Sequence, residues 1–116
     1  MLLGLRSVIY AAPDLAAAKA WWTEVLGKEP YFDQPFYVGF EVGGFELGLD
    51  PNGDPATSPI TYWGVSDAEA AFASLLAKGA EPHAAVRDVG EGTKVGSVRD
   101  PSGSVLGVIE NLHYGA

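Results

Sequence analysis

The stretch RDPSGSVLGVIEN, Arg99 to Asn111, decides the reading of this chain. Asp100, Pro101, Ser102 and Gly103 carry turn chemistry. Ser104 to Ile109 is mostly apolar and β-branched, as a strand is. Yet Gly107 stands in its middle. Glycine weakens a strand, through backbone entropy and a missing side chain. A near match, FELGLDPNG, runs from Phe45 to Gly53, and Gly48 stands at the same place. Two glycines inside two apolar strands need a reason.

Working outward, LLGLRSVIYAA reads as a first strand. It has no basic segment before its apolar run, and Arg6 interrupts that run, so it does not read as a signal peptide. PDLAAAKAWWTEVLG reads as a helix. Asp14 can cap it, Gly27 ends it, and Leu15, Ala18, Trp22, Val25 and Leu26 form its apolar face. EPYFD is a short strand or edge, and PFYVGFEV, a Gly43-Gly44 turn and FELGLD make a hairpin. PNGDPATSP is a loop. The order then begins again. ITYWGV is a strand, and SDAEAAFASLLAKG is a helix capped by Ser66 or Asp67, with Ala68, Phe72, Leu75 and Leu76 on its apolar face. AEPHAAVRDV is a strand or edge, and GTKVGSVRD and SVLGVIEN close a second hairpin.

The chain is an internal repeat. Asp14 and Asp67 cap equivalent helices; GKEP at Gly27 echoes GAEP at Gly79; YVGFEV echoes KVGSVR; ELGLDP echoes VLGVIE. Gly48 and Gly107 are therefore twins. The fold class this predicts is α+β: two tandem βαβββ modules whose curved mixed sheets enclose a cleft. The first module is expected over 1–52 and the second over 60–116, with 53–59 as a linker, all in one domain of 116 residues.

The charge narrows the partners. Seven basic and fifteen acidic residues give a net charge of −8. Nucleic acid is a poor partner for such a surface, which lacks clustered Lys and Arg. A cationic small molecule is favoured. No apolar run reaches the roughly 18 residues of a membrane span, and the absence of cysteine fits a reducing cytoplasm.

The ordered motifs APDLAAAKAWWTEVLGKEP (12–30), VSDAEAAFASLLAKGAEP (65–82) and RDPSGSVLGVIE (99–110) resemble the vicinal oxygen chelate superfamily. That superfamily includes glyoxalase I, extradiol dioxygenases, fosfomycin resistance proteins and bleomycin resistance proteins. The resemblance covers essentially the whole chain. It implies paired modules around a cleft and, in metal-dependent members, ligands on the first and last strands of each module. Carried over one by one, those positions are Ser7, Gly48, Ile60 and Gly107. Divalent metals need His nitrogen or carboxylate oxygen donors. Gly and Ile offer no side-chain donor and Ser a poor one, so no metal and no other cofactor is expected.

Strand alternation assigns the faces. Phe45, Leu47, Leu49, Thr61, Trp63, Val65, Leu106 and Val108 are expected under the helices. Ser7, Ile9, Glu46, Gly48, Asp50, Ile60, Tyr62, Gly64, Val105, Gly107 and Ile109 are expected to face the cleft. Glu41, Glu46 and Asp50 are the candidate charge partners. His83 and His113 read as surface histidines. VGEGTKVGS is a hairpin loop, since no Lys-Ser/Thr follows as in a phosphate loop. One of Trp21 and Trp22 is expected in the core, the other against a second module or subunit.

The resemblance to the bleomycin-resistance branch implies a homodimer that sequesters a small organic ligand, cationic or aromatic, without catalysis. The rival is a glyoxalase- or dioxygenase-like lyase or isomerase. It would need Glu46 or Glu110 as an acid–base group, or a displaced metal site built from His83, His113 or Glu110. A third class is a regulatory or partner-binding domain whose cleft is filled by its own side chains.

Overall fold

The computed structural model describes residues 1–111. Its elements are β1 (Gly4–Ala11), α1 (Leu15–Leu26), β2 (Phe32–Gln34), β3 (Tyr37–Val42) and β4 (Phe45–Asp50). A single 3-10 turn (Pro55–Thr57) follows, then β5 (Ile60–Gly64), α2 (Ala68–Ala77), β6 (Glu81–Gly90), β7 (Thr93–Arg99) and β8 (Val105–Asn111). The α+β class and the repeated βαβββ order are those expected from the sequence. None of the described helices is long and apolar enough to cross a membrane.

The helix boundaries follow from their caps. Asp14 accepts a hydrogen bond from the Ala17 amide and Asp67 one from the Ala70 amide. Each satisfies an N–H that has no partner within its helix, worth about 1 kcal/mol. Gly27 closes α1 at φ +69°, where a side chain would be strained. The Asp-Pro-Ser-Gly turn before β8 is built by Asp100, whose carboxylate accepts from the Ser102 and Ser104 amides. Gly103 supplies the positive φ, +91°.

The chain divides into two compact units: Ser7–Ile60, and Met1–Arg6 together with the chain from Thr61 on. In the first unit the strands run β2-β3-β4-β1, with β1 parallel to β4 and the other pairs antiparallel. In the second they run β5-β8-β7-β6, with β5 parallel to β8 and the other pairs antiparallel. In each unit the first strand thus pairs with the last, around a helix.

Each unit buries one sheet face under its own helix. Val38, Phe40, Leu49 and Ala12 are buried in the first, packed by Leu15, Ala18, Trp22, Leu26 and Leu47. Val65, Ala68, Ala71 and Val108 form the second core, with Leu75 and Val86. Three expectations change here. Phe45, expected under a helix, is 48% exposed beside the Gly43-Gly44 turn. Val25 is 54% exposed, because its place lies at the edge of the apolar stripe. In α2 the small Ala71 is buried, whereas Phe72 is only partly so. Of the tryptophans, Trp22 packs on Tyr10, with ring centroids 5.4 Å apart, and Trp21 is 58% exposed.

The register corrects one echo. Gly39 pairs with Gly48, but Gly96 pairs with Val108, and Ser97 pairs with Gly107. With Gly48 and Gly107 as twins, Gly39 matches Ser97, not Gly96. The likeness of YVGFEV to KVGSVR is offset by one residue, and one residue reverses the face.

Candidate functional site

In the first unit, alternation places Ser7, Ile9, Gly39, Glu41, Glu46 and Gly48 on the sheet face opposite α1. Ser7 is opposite Glu46, Ile9 opposite Gly48, and Gly39 opposite Gly48. The Gly39–Gly48 pair would leave a bare patch two strands wide. Two phenols cover it. A Cβ on Gly48 would lie 1.8 Å from the Tyr37 hydroxyl oxygen, and one on Gly39 would lie 3.1 Å from the Tyr31 ring.

Both phenols end on the same carboxylate. Tyr37 Oη donates to Glu46 Oε1 at 2.7 Å, and Ser7 Oγ donates to the same oxygen at 2.9 Å. Tyr31 Oη donates to Glu46 Oε2. Ser7 is only 3% exposed, so its hydroxyl needs this acceptor. Burial pushes the Tyr37 phenol far above its ordinary pKa, and the Glu46 charge and hydrogen bond push the same way. Tyr37 therefore remains a donor to Glu46.

This raised pKa has a signed consequence. The stability it represents is fully present below the ordinary tyrosine value near 10 and is lost as pH rises past it. In an alkaline titration followed by phenolate absorbance, Tyr37 is expected to ionise only as the far-ultraviolet circular dichroism collapses. Tyr37→Phe should remove that late step. A Tyr37 that titrates near 10 in the folded protein would contradict the burial.

The second unit solves the same vacancy from a different strand. A Cβ on Gly107 would lie 2.4 Å from Tyr62 ring carbons. Tyr62 is the direct β5 partner of Gly107, whereas Tyr37 reaches Gly48 diagonally from β3. Ser97, opposite Gly107 on β7, is 4% exposed, and its Oγ lies 2.8 Å from His83 Nδ1. Val105 and Ile109 flank Gly107 on the same face. The Arg6 side chain lies over Gly64, where a Cβ would meet Nε at 2.8 Å.

Among the expected site residues, the fold thus brings Ser7, Glu46 and Gly48 together in one unit, and Tyr62 and Gly107 in the other. Three others have local duties. Glu41 accepts from the Gly44 amide at 2.7 Å and pairs with Lys28 at 3.2 Å, in the β3–β4 hairpin. The Gly44 hydrogen bond, then Lys28, holds its carboxyl below the usual range. Asp50 accepts from the Asn52 amide at 2.8 Å. Ile60 opens β5, half-buried. The sequence reading missed Tyr31, Tyr37 and Ser97; it read His83 as a surface histidine, and His83 is exposed but also reaches Ser97. A signal was present: Tyr31 and His83 each directly follow the repeated Glu-Pro, so they are twins as well.

The residues do not fit a divalent metal. The Ser7 hydroxyl donates to Glu46, Gly48 and Gly107 lie under tyrosines, and Ile60 has no donor. Among the described residues no three His, Cys, Asp or Glu stand together. Glu110 accepts from the Ala68 amide at 2.8 Å, at the start of α2, and His83 is engaged with Ser97. His113 lies outside the described residues.

A family model described as the Glyoxalase/Bleomycin resistance protein/Dioxygenase superfamily matches residues 4–108. Among solved structures, the chain is similar to an NAD-dependent benzaldehyde dehydrogenase from Legionella pneumophila, with a TM-score of 0.74 at 15% identity over 90% of this chain and 97% of that one. It is similar to a variant of Streptomyces coelicolor methylmalonyl-CoA epimerase in complex with 2-nitronate-propionyl-CoA, with a TM-score of 0.70 at 17% identity over 96% and 99%. It is also similar to a glyoxalase/bleomycin resistance protein/dioxygenase superfamily member from Vibrio splendidus 12B01, with a TM-score of 0.66 at 19% identity over 91% and 97%. At these identities the likeness is one of fold. No curated protein matches the chain in sequence.

Proposed function

The chain belongs to the Glyoxalase/Bleomycin resistance protein/Dioxygenase superfamily, and from that premise we propose that it is a cytoplasmic protein that binds a small organic molecule without a metal. The carrying observation is Glu46 beneath three hydroxyls, on the face where the family resemblance would put a metal ligand at Gly48. A carboxylate accepting from Ser7, Tyr31 and Tyr37 is arranged to hold a charge in place. Three of its roughly four acceptor positions are engaged, which favours binding over abstraction of a substrate proton. A ligand on this face meets phenol rings and Glu46, since Gly48 lies beneath Tyr37.

Two observations support rival readings. The likeness in fold to methylmalonyl-CoA epimerase supports an isomerase with Glu46 as its base. The burial of Gly48 and Gly107 under the protein's own tyrosines supports a partner-binding domain with a filled cleft. One experiment separates the three. Protein purified without chelator is assayed for metal, then screened by thermal shift against small cationic, neutral and anionic organic compounds. The expected result is metal well below one equivalent and a raised melting temperature with at least one compound. A stoichiometric, tightly held metal would overturn the reading. A flat response to every compound would favour the partner-binding domain, and turnover of a bound compound the isomerase.

A further inference from the structure

Resting on that reading and deepening it, we propose that the group recognised on the first unit is an organic ammonium bearing N–H, bound to the outer oxygen of Glu46 beside Tyr31 and Tyr37. The acceptor inventory points there. A carboxylate offers about four acceptor positions, two per oxygen. Oε1 accepts from Ser7 and Tyr37, and Oε2 accepts from Tyr31. One position on Oε2 remains. Glu46 is half-buried, and the donor to Oε2, Tyr31, is 59% exposed, whereas Ser7, a donor to Oε1, is 3% exposed.

Charge decides which donor suits it. The three donors are neutral hydroxyls, so they orient the carboxylate without cancelling its charge. An anionic ligand would be repelled, and a neutral hydroxyl would add one more dipole. An ammonium supplies both the fourth hydrogen bond and the missing positive charge. The net charge of −8 draws such a cation in.

The surroundings suit its organic part. Phe32 lies 5.9 Å from Phe36 and 6.2 Å from Tyr37, centroid to centroid. Phe36 is 63% exposed and Phe32 36%. With Tyr31 they place four aromatic residues between positions 31 and 37, the same short segment that roofs Glu46. Aromatic faces attract cations, and their area covers an apolar body.

The test is an NMR titration of the full chain with benzylammonium, benzyltrimethylammonium, benzyl alcohol and benzoate. Benzylammonium is expected to move the Tyr31 and Tyr37 ring signals and to bind about tenfold tighter than benzyl alcohol. The quaternary probe, which keeps the charge but has no N–H, should bind more weakly than benzylammonium. Glu46→Gln, confirmed folded by its spectrum, should weaken benzylammonium about tenfold and abolish the preference for charge. Should that variant not fold, Tyr31→Leu leaves Glu46 on Ser7 and Tyr37, and it too should lose affinity. Equal binding of benzyl alcohol and benzylammonium, or of the two cations, would overturn the proposal. So would shifts confined to other residues. Binding of benzyl alcohol or benzoate elsewhere would sink this inference and leave the ligand-binding reading standing; no response to any probe or to the wider compound panel would sink both.

Discussion

Gly48→Ala is expected to lower the unfolding free energy by about 3 kcal/mol. The direction is opposite to that for an ordinary strand. Where the backbone can accept it, replacing glycine by alanine stabilises by roughly 0.4–1 kcal/mol, through the unfolded chain. Gly48 lies in a regular strand, so its backbone is not the obstacle. The obstacle is Tyr37, whose hydroxyl oxygen would be 1.8 Å from the new Cβ and whose ring carbon Cζ would be 2.6 Å away. The end of a tyrosine can move, but this end is bonded to Glu46. Moving it loses that bond and exposes a ring that is now half-buried. The check is urea denaturation of Gly48→Ala, Tyr37→Ala and the pair. In the Tyr37→Ala background the glycine change should cost little, giving a coupling of about 3 kcal/mol. Additive losses would show that Tyr37 does not fill the space above Gly48. Gly107→Ala should couple to Tyr62 in the same way.

Glu46→Ala is expected to cost a further order of the same size, about 3 kcal/mol or more. It leaves the buried Ser7 hydroxyl and the Tyr37 hydroxyl without their acceptor, and an unsatisfied buried donor carries its full desolvation cost. Glu46→Gln should cost about 1 kcal/mol, because its amide oxygen can still accept from Ser7 and Tyr37 while its NH2 faces Tyr31, whose hydroxyl can reverse its role. In a Ser7→Ala, Tyr37→Phe background the alanine change should lose most of its effect, since the stranded donors are gone. Chemical denaturation of the four proteins checks this. Equal losses for alanine and glutamine would mean that the charge matters to the fold, rather than the acceptor geometry.

The two results bear on one question, why a strand should hold a glycine at Gly48 and again at Gly107. The glycines do not leave an open floor. They make room for Tyr37 and Tyr62, and in the first unit the room places a phenol on Glu46. At Gly48, where the family resemblance implies a metal ligand, this chain instead has a phenol hydrogen-bonded to Glu46.

Much of this was legible in the chain itself. The repeat, the caps at Asp14 and Asp67, the Asp100 turn and the alternation of β4 and β8 are local properties. Helix capping needs three or four residues, and strand parity needs only the period of two, so the sequence by itself determined the α+β class, the βαβββ order and which of Glu46, Gly48, Leu47 and Leu49 share a face. It also determined that Ser7, Gly48, Ile60 and Gly107 cannot together ligate a metal, because that follows from side-chain chemistry alone. Only the tertiary structure decided what covers the glycines. Tyr31 and Tyr37 reach Glu46 across strands, and Tyr62 reaches Gly107 through register, so their partners depend on which strands are neighbours and with what offset. The one-residue offset between Gly39 and Gly96 carries the same lesson. Two similar strings lie on opposite faces because register is set by pairing across the sheet, which no single strand contains.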